Sequence, residues 1–458
     1  MQSALRQIWQ NLALPDEALQ FARLDGADPV LPSSFAVGAA AQAGIAAAAL
    51  AACELGHARG AARQEVAVPM LHAALECTEW FSIDGRTPQA WEAFSGLYRC
   101  SDGWVRIHAN FAHHSQGALH LMGLDPATAT RAEAEAVMLG WRALEFEQAS
   151  AERGLVATAL RSFAQWDITA QGSAIAAQPL LRIKRFEGVN APPLALAPLA
   201  QHQRPLTGVR VLDLTRILAG PVGGRALAAY GADVMLINSP HLPNIAAIAN
   251  TSRGKRSALA DLNTPEGRDA LWRLIGGAHV FVQGYRPGGL TDRGFAPQTI
   301  AERRPGCVVI SLSAYGDQGP WAARRGFDSL VQTAMGFNHA EGEAAGDGQP
   351  RPLPMQILDQ ATGYLIAATA AAALWRQQRE GGSWHVQLSL AQTGHWLRSL
   401  GRVPHGLQTK MPSGKPFLER SASGFGELTS FRHSAQLART PAGWDLPSMP
   451  PGTHPPRW

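Results

Sequence analysis

The chain has 458 residues, 46% hydrophobic and 17% charged, which is too long for one core and too apolar for disorder, and predicts two or three domains. Its formal net charge of +4 comes from scattered basic residues without an interleaved basic and aromatic run. A small anionic ligand is therefore expected and a nucleic-acid partner is not.

Taken in chain order, the opening MQSALRQIWQNLALPDEALQ reads as an amphipathic helix. It lacks the cationic start and apolar core of a secretory signal. Residues 35–55 are nearly uncharged but mostly Ala and Gly, with Gln42 inside, so a buried helix is expected rather than a membrane span. VAVPML at 66–71 predicts a short strand. Residues 1–75 are too short to hold a core alone and are expected to pack on the large domain. Residues 76–195 read as a small α+β domain, with two short strands in YRCSDGWVRIHANF (98–111) turning at Ser101-Asp102-Gly103. Acidic and alanine-rich helices are expected over 132–164, and the Pro- and Ala-rich stretch 191–208 reads as a linker.

From 205 to 400 the pattern predicts a Rossmann-like α/β domain: a parallel sheet with helices on both faces. Strands are expected at 208–214, 232–237, 255–262, 279–283, 307–314 and 385–390. Thr264-Pro265-Glu266 forms a cap-plus-proline start for a helix, a short helix follows near 297–304, and a long alanine-rich helix spans about 360–375. That last helix and its strand resemble residues 40–71, with Val66 falling where Val386 falls. The Pro- and Gly-rich tail, 401–458, reads as an irregular surface wrap.

Several chemistries lack their signatures. There is no G-x-G-x-x-G after the first strand of the large domain, and no G-x-x-x-x-G-K-[ST], G-x-S-x-G or H-E-x-x-H. His108, His113, His114 and His120 read as surface and packing histidines, so no metal site is expected. Cys53, Cys77, Cys100 and Cys307 form no C-x-x-C pair and suit reduced thiols in a cytoplasmic protein. The loop LTRILAGP (214–221) joins a strand end to a helix start, where backbone N–H groups can meet a phosphate or carboxylate.

Four segments in order resemble the family III CoA transferases, also called the CaiB/BaiF family, to which formyl-CoA transferase belongs. They are GVRVLDLTRILAGPVGGRALAAYGADVMLI (208–237), NTSRGKRSALADLNTPEGRDAL (250–271), VQGYRPGGLTDRGF (282–295) and ISLSAYGDQGPWAARRGFDSLVQ (310–332). The resemblance implies an enzyme that moves CoA from an acyl-CoA donor to a carboxylate acceptor. It implies CoA thioester as substrate and no permanently bound cofactor. Asp359, in Asp359-Gln360-Ala361-Thr362-Gly363, falls at the family's catalytic aspartate and would carry an aspartyl-CoA thioester. An Asp at a helix start is also a favoured N-cap, the plain alternative. The positive helix end is expected to keep its carboxylate ionised at neutral pH. The resemblance further implies CoA contacts from Arg216, Ile217, Leu218, Ala219, Lys255, Arg256, Tyr285 and Arg325.

The chain departs from the family pattern in places. Asn238-Ser239-Pro240 stands where Glu-Arg-Pro is common, Gly284 replaces the usual Asn, and Asp292 and Arg293 are offset by one from the common basic position. The small-domain-like segment precedes the large domain instead of following it, and in the earlier copy the aspartate position falls near Ala39. A homodimer or a pseudo-dimeric monomer is expected, with no membrane partner. Two other functions stay open. One is a 2-methylacyl-CoA racemase, disfavoured because Gly326-Phe327-Asp328 lacks the histidine base of G-H-D. The other is a CoA-binding protein without turnover.

Overall fold

The structure, a computed structural model, describes residues 2–286 and 288–458. Met1, and Pro287 within the third motif, lie outside the described residues.

Helix α1 (Gln2–Leu12) buries Ile8, Trp9 and Leu12, one face of a helix. Strand β1 (Ala22–Asp25) leads to α2 (Val37–Ala58), which is buried along almost its whole length. β2 (Val66–Pro69) runs parallel to β1 and feeds α3 (Met70–Glu76), and β3 (Phe81–Ile83) follows.

β4 (Gly96–Arg99) and β5 (Trp104–Ile107) form the hairpin read from 98–111, closed by the Cys100 N–H on the Gly103 carbonyl at 2.8 Å. α4 (Ala112–Leu121), α5 (Arg131–Met138) and α6 (Ala143–Glu152) accompany this sheet. β6 (Ala157–Ala159) adds antiparallel to β5, inside a stretch whose alanines concealed it. α7 (Phe163–Asp167), α8 (Ala170–Ala176) and β7 (Arg182–Arg185) come next.

The large domain alternates as read: β8 (Arg210–Leu214), α9 (Ala219–Ala229), β9 (Asp233–Asn238), α10 (Ile248–Thr251), β10 (Lys255–Leu259), α11 (Pro265–Gly277), β11 (Val280–Gln283), α12 (Pro297–Arg303) and β12 (Val308–Ser313). Thr264 caps α11, its hydroxyl accepting the Gly267 N–H at 3.1 Å. α13 (Asp328–Met335), α14 (Phe337–Ala345), α15 (Ile357–Glu380), β13 (Trp384–Ser389) and α16 (Leu390–Ser399) complete the unit. Six strands in the order β10-β9-β8-β11-β12-β13 are parallel, and β7 closes the β13 edge antiparallel. Residues 182–185 therefore belong to the large sheet although they lie within 76–195 in sequence. The strand order reverses between β8 and β11, and in such sheets the crevice at the carboxyl ends of the reversing strands receives ligands.

The tail is not wholly irregular. β14 (Leu418–Ser423) and β15 (Gly426–Phe431) form a hairpin that pairs with β3, and β16 (Gln436–Leu437) pairs with β2. LERSAS and GELTSF carry few β-branched or aromatic residues, so their strand character comes from the partners and not from propensity.

An internal copy is visible. β1–α2–β2–α3 repeats β12–α15–β13–α16: both strand pairs are parallel, and each second strand passes directly into a short helix. Val37, Ala39, Val66 and Met70 correspond to Ile357, Asp359, Val386 and Leu390 with constant spacing. α2 and α15 pack together more extensively than any other pair of elements. Gly44 faces the partner helix, where a Cβ would stand 3.5 Å from the Tyr364 side chain, an ordinary packing distance. Both helices are long and apolar enough to cross a membrane, yet 94% of each such window is buried within the protein.

Candidate functional site

A cavity of about 470 Å³ opens where the strand order reverses. The β8–α9 loop lines it with Arg216, Ile217, Leu218 and Ala219, the β11 loop with Tyr285, and the segment before α13 with Arg325 and Phe327. Asp359 lines it from the third position of α15. The small domain lines the same cavity with Phe111, His113 and His114. Seven of the nine residues expected from the sequence are thus brought together.

The other two are not. Lys255 is fully buried beneath the loop; its ammonium donates to Asp213 Oδ2 at 2.9 Å and to the Pro221 carbonyl at 2.8 Å. It fixes the start of α9 from below and cannot meet a phosphate in the cavity. Arg256 pairs with Asp233 at 2.6 Å, donates to the Arg457 carbonyl at 2.8 Å and lies over the Trp458 ring. The basic pair of the N-K-R-S-like segment is structural in this chain, because alternate residues of β10 face opposite sides of the sheet.

Close packing brings the loop to the aspartate. Gly363 lies one turn beyond Asp359, and a Cβ there would stand 2.6 Å from the Ala219 carbonyl. Glycine in D-x-x-x-G is what lets α9 and α15 touch at this level. On the loop, Ile217 has φ of +76°, a conformation a β-branched residue rarely adopts. Strain of this kind, of order 1–3 kcal/mol, concentrates at functional loops.

Asp359 does not cap its own helix. The carboxylate of Asp328, at the start of α13, accepts the Asp359 N–H at 2.9 Å and the Leu358 N–H as well. The Gln332 amide donates to its other oxygen at 2.5 Å. The Asp359 carboxyl is left to the cavity, with the Ala219 N–H turned toward it. Burial and the neighbouring Asp328 charge raise its pKa well above the usual carboxylate range. This corrects the expectation of an ionised carboxylate: the helix end is present, but its N–H groups serve Asp328. Burial also raises Asp328, and the Arg106 guanidinium of β5 opposes that rise. Two carboxyls this close share at most one charge, and Asp328, with three N–H donors and Arg106, holds it.

Phe327 occupies the place of the histidine in G-H-D and stacks on His108, the ring centroids 3.8 Å apart. Burial depresses His108 and His114 to about 3, so both imidazoles are neutral. His114 was read from the sequence as a packing residue; it is buried, yet it lines the cavity. The doubled histidine in ANFAHHS was the visible signal, and only the docking of the small domain revealed its address. Asn238, at the family's Glu-Arg-Pro position, also lines the cavity with both amide atoms unpartnered. Arg293 lines it too despite its offset. No cluster of metal-ligating side chains occurs among the described residues.

Residues 206–415 match CoA-transferase family III. The four-motif resemblance is borne out. An acyl-CoA transferase of Gibberella moniliformis is 31% identical over 312 residues, covering 65% of this chain and 55% of that protein. A succinate–glutarate CoA-transferase of Agrobacterium fabrum is 31% identical over 259 residues, covering 50% of this chain and 64% of that protein. The chain thus spans little more than half the length of these curated relatives. Among solved structures, a CaiB/BaiF family protein from Brucella suis is 28% identical, covers 49% of this chain and 65% of its own, and superposes with a TM-score of 0.39.

Proposed function

We propose that the chain is an acyl-CoA:carboxylate CoA-transferase with Asp359 as its nucleophile. The carrying observation is the Asp359 carboxyl, left free of helix capping and facing the cavity beside the Ala219 N–H. Asp359 first gives up its proton to solvent in the cavity; the carboxylate then attacks the donor thioester carbon, and the C–S bond breaks, giving a mixed anhydride and CoA thiolate. The thiolate attacks the aspartyl carbonyl, releasing the donor acid and leaving an aspartyl-CoA thioester. The acceptor carboxylate then attacks that thioester and expels thiolate. The thiolate returns to the acceptor's acyl carbon, giving the new acyl-CoA and regenerating Asp359. Covalent capture conserves the thioester's energy across both halves. The Ala219 N–H, on the Asp359 carboxyl, would stabilise the tetrahedral oxyanion formed at the aspartyl carbonyl. CoA would lie along the β8–α9 loop, Tyr285 and Arg325, with no resident cofactor. Four buried free thiols support a cytoplasmic, reducing setting. The internal copy and the small domain's place at the cavity support a pseudo-dimeric monomer over a homodimer.

The test is intact-mass analysis with a panel of acyl-CoAs. Wild type should gain a CoA-sized adduct that hydroxylamine removes. Asp359→Ala should fold with a midpoint at or above that of wild type, because another residue caps the helix and the buried carboxyl is a cost to folding, and should form no adduct. An adduct mapping elsewhere, or near-normal transfer by the variant, would refute the assignment.

A further inference from the structure

A group that reacts with Asp359 must sit among the residues around that carboxyl, and a chain of contacts closes a ring there. Asp328 takes the Asp359 N–H at 2.9 Å, and Gly326 and Phe327 lead directly into Asp328. A Cβ on Gly326 would stand 2.7 Å from the Ala314 Cβ and 2.7 Å from the Tyr315 ring, so this side has no room for one more methyl. The Ala314 carbonyl accepts the Ala391 N–H at 2.9 Å, which sets Leu390 beside Ala314. Below, the hydroxyls of Thr362 and Thr393 meet at 2.6 Å. Asp359 and Leu390 each stand three residues before those threonines, one turn higher at the starts of α15 and α16. Asp359, Phe327, Gly326, Ala314 and Leu390 all line the cavity, so the ring bounds a blind end of it.

Apart from the Asp359 carboxyl, the side chains of that ring are apolar. The Ser313 hydroxyl, at the end of β12, accepts the Gly316 N–H at 3.1 Å. The two arginines just before Gly326 turn to the small domain instead: Arg324 to Glu147 at 3.3 Å and Arg325 to His114 Nε2 at 3.1 Å. A second carboxylate on the substrate would therefore be buried at the blind end without a partner, at far greater cost than a methyl group in the same place. Resting on the transferase reading above, we propose that this blind end is the acyl seat and that it takes a short, uncharged aliphatic acyl group. Donor and acceptor acids are then small monocarboxylates, and Phe327 and Leu390 set the length that fits.

Butyrate and succinate share a carbon count and differ by the second carboxylate, so they isolate the charge. With acetyl-CoA as donor, kcat/KM for butyrate should exceed that for succinate by at least about a hundredfold. Octanoate should also fall below butyrate, because the end is blind. Succinate or octanoate used as well as butyrate would overturn the proposal. Calorimetry on the full chain with the unreactive thioethers S-butyl-CoA and S-(3-carboxypropyl)-CoA reads the same seat without turnover. Tighter binding of the butyl analogue sustains the seat even if no adduct forms on Asp359, which would sink the transferase reading alone. Equal binding, or tighter binding of the carboxypropyl analogue, refutes the seat, and no binding of either refutes both. Phe327→Ala and Leu390→Ala enlarge the seat and should move the preference from butyrate toward octanoate, and S-butyl toward S-octyl among the analogues. A length preference unmoved in both would place the acyl group elsewhere. Should either variant fail to fold, Phe327→Leu or Leu390→Val, which remove fewer atoms, takes its place in the same measurements.

Discussion

Lys255 separates a structural role from a ligand-binding one, and the two have different signatures. Lys255→Met keeps most of the apolar stem and removes the ammonium. Asp213, fully buried, then loses its only cationic partner among the described residues but retains the Thr215 N–H at 3.0 Å and the Thr215 hydroxyl at 2.5 Å. Breaking a buried pair by removing one partner costs about 3–5 kcal/mol, and the two surviving donors place this case near about 3. That is a large part of the roughly 5–15 kcal/mol that holds a domain folded. Lys255→Met combined with Asp213→Asn removes both charges and should recover most of the loss. Arg256→Ala offers the contrast: its partner Asp233 is 41% exposed, and such pairs contribute about 0–1 kcal/mol. Urea denaturation alongside KM for acyl-CoA distinguishes the roles. A Lys255→Met protein that denatures like wild type while its KM for acyl-CoA rises tenfold or more would refute the reasoning, because the ammonium would then be meeting ligand.

The raised carboxyls give a pH dependence with a definite sign. Folded Asp328 and Asp359 bind protons more tightly than the unfolded chain does, so their contribution to stability is full below the ordinary value of 3.8 and is lost as pH rises, through about 7 for Asp328. Adduct formation needs the Asp359 carboxylate and should increase as pH rises; Asp328→Asn, which removes the neighbouring charge, should shift that profile to lower pH in rapid-quench measurements. An unshifted profile would mean that the two carboxyls do not interact. Light scattering should give the mass of a single chain; a trimer or hexamer would contradict both the pseudo-dimer and the homodimer.

Much of the large domain was legible because buried parallel strands are short apolar runs, and each strand begins and ends within a few residues of the run that announced it. The loop at 216–219 and Asp359 were legible because their motifs are local. Lys255 and Arg256 were misread because a basic pair on a strand sends its side chains to opposite faces, and sequence alone does not say which face holds the ligand. The state of Asp359 was misread for another reason. A helix end favours an anion only if its N–H groups are free, and Asp328, thirty-one positions earlier, had taken them. That His114 lines the cavity depended on docking between two domains, which no local pattern encodes.

The internal copy bears on whether Asp359 is a nucleophile or a helix cap. In the N-terminal unit Asp28 accepts the N–H groups of Gly38 and Ala39 at 3.1 and 2.8 Å, as Asp328 accepts those of Leu358 and Asp359. Both long helices are thus clasped at the same two N–H groups by an aspartate from the segment before them. Ala39 stands where Asp359 stands, and α2 is nearly as long and as deeply buried without a carboxyl there. The clasp is therefore what the helix start requires, and the carboxyl at the third helical position is not. A buried carboxyl that its helix does not need, raised by the neighbour that caps it, imposes a cost that folding alone does not explain. Placing the same side chain in the copy isolates that cost. Ala39→Asp should destabilise the protein, by the few kcal/mol typical of an unpaired buried acid, and should create no second adduct, because the four-motif loops that would hold CoA accompany only α15. Thermal denaturation and intact mass read both outcomes. A stable variant carrying two CoA adducts would show that the N-terminal unit is a complete site lacking only its nucleophile.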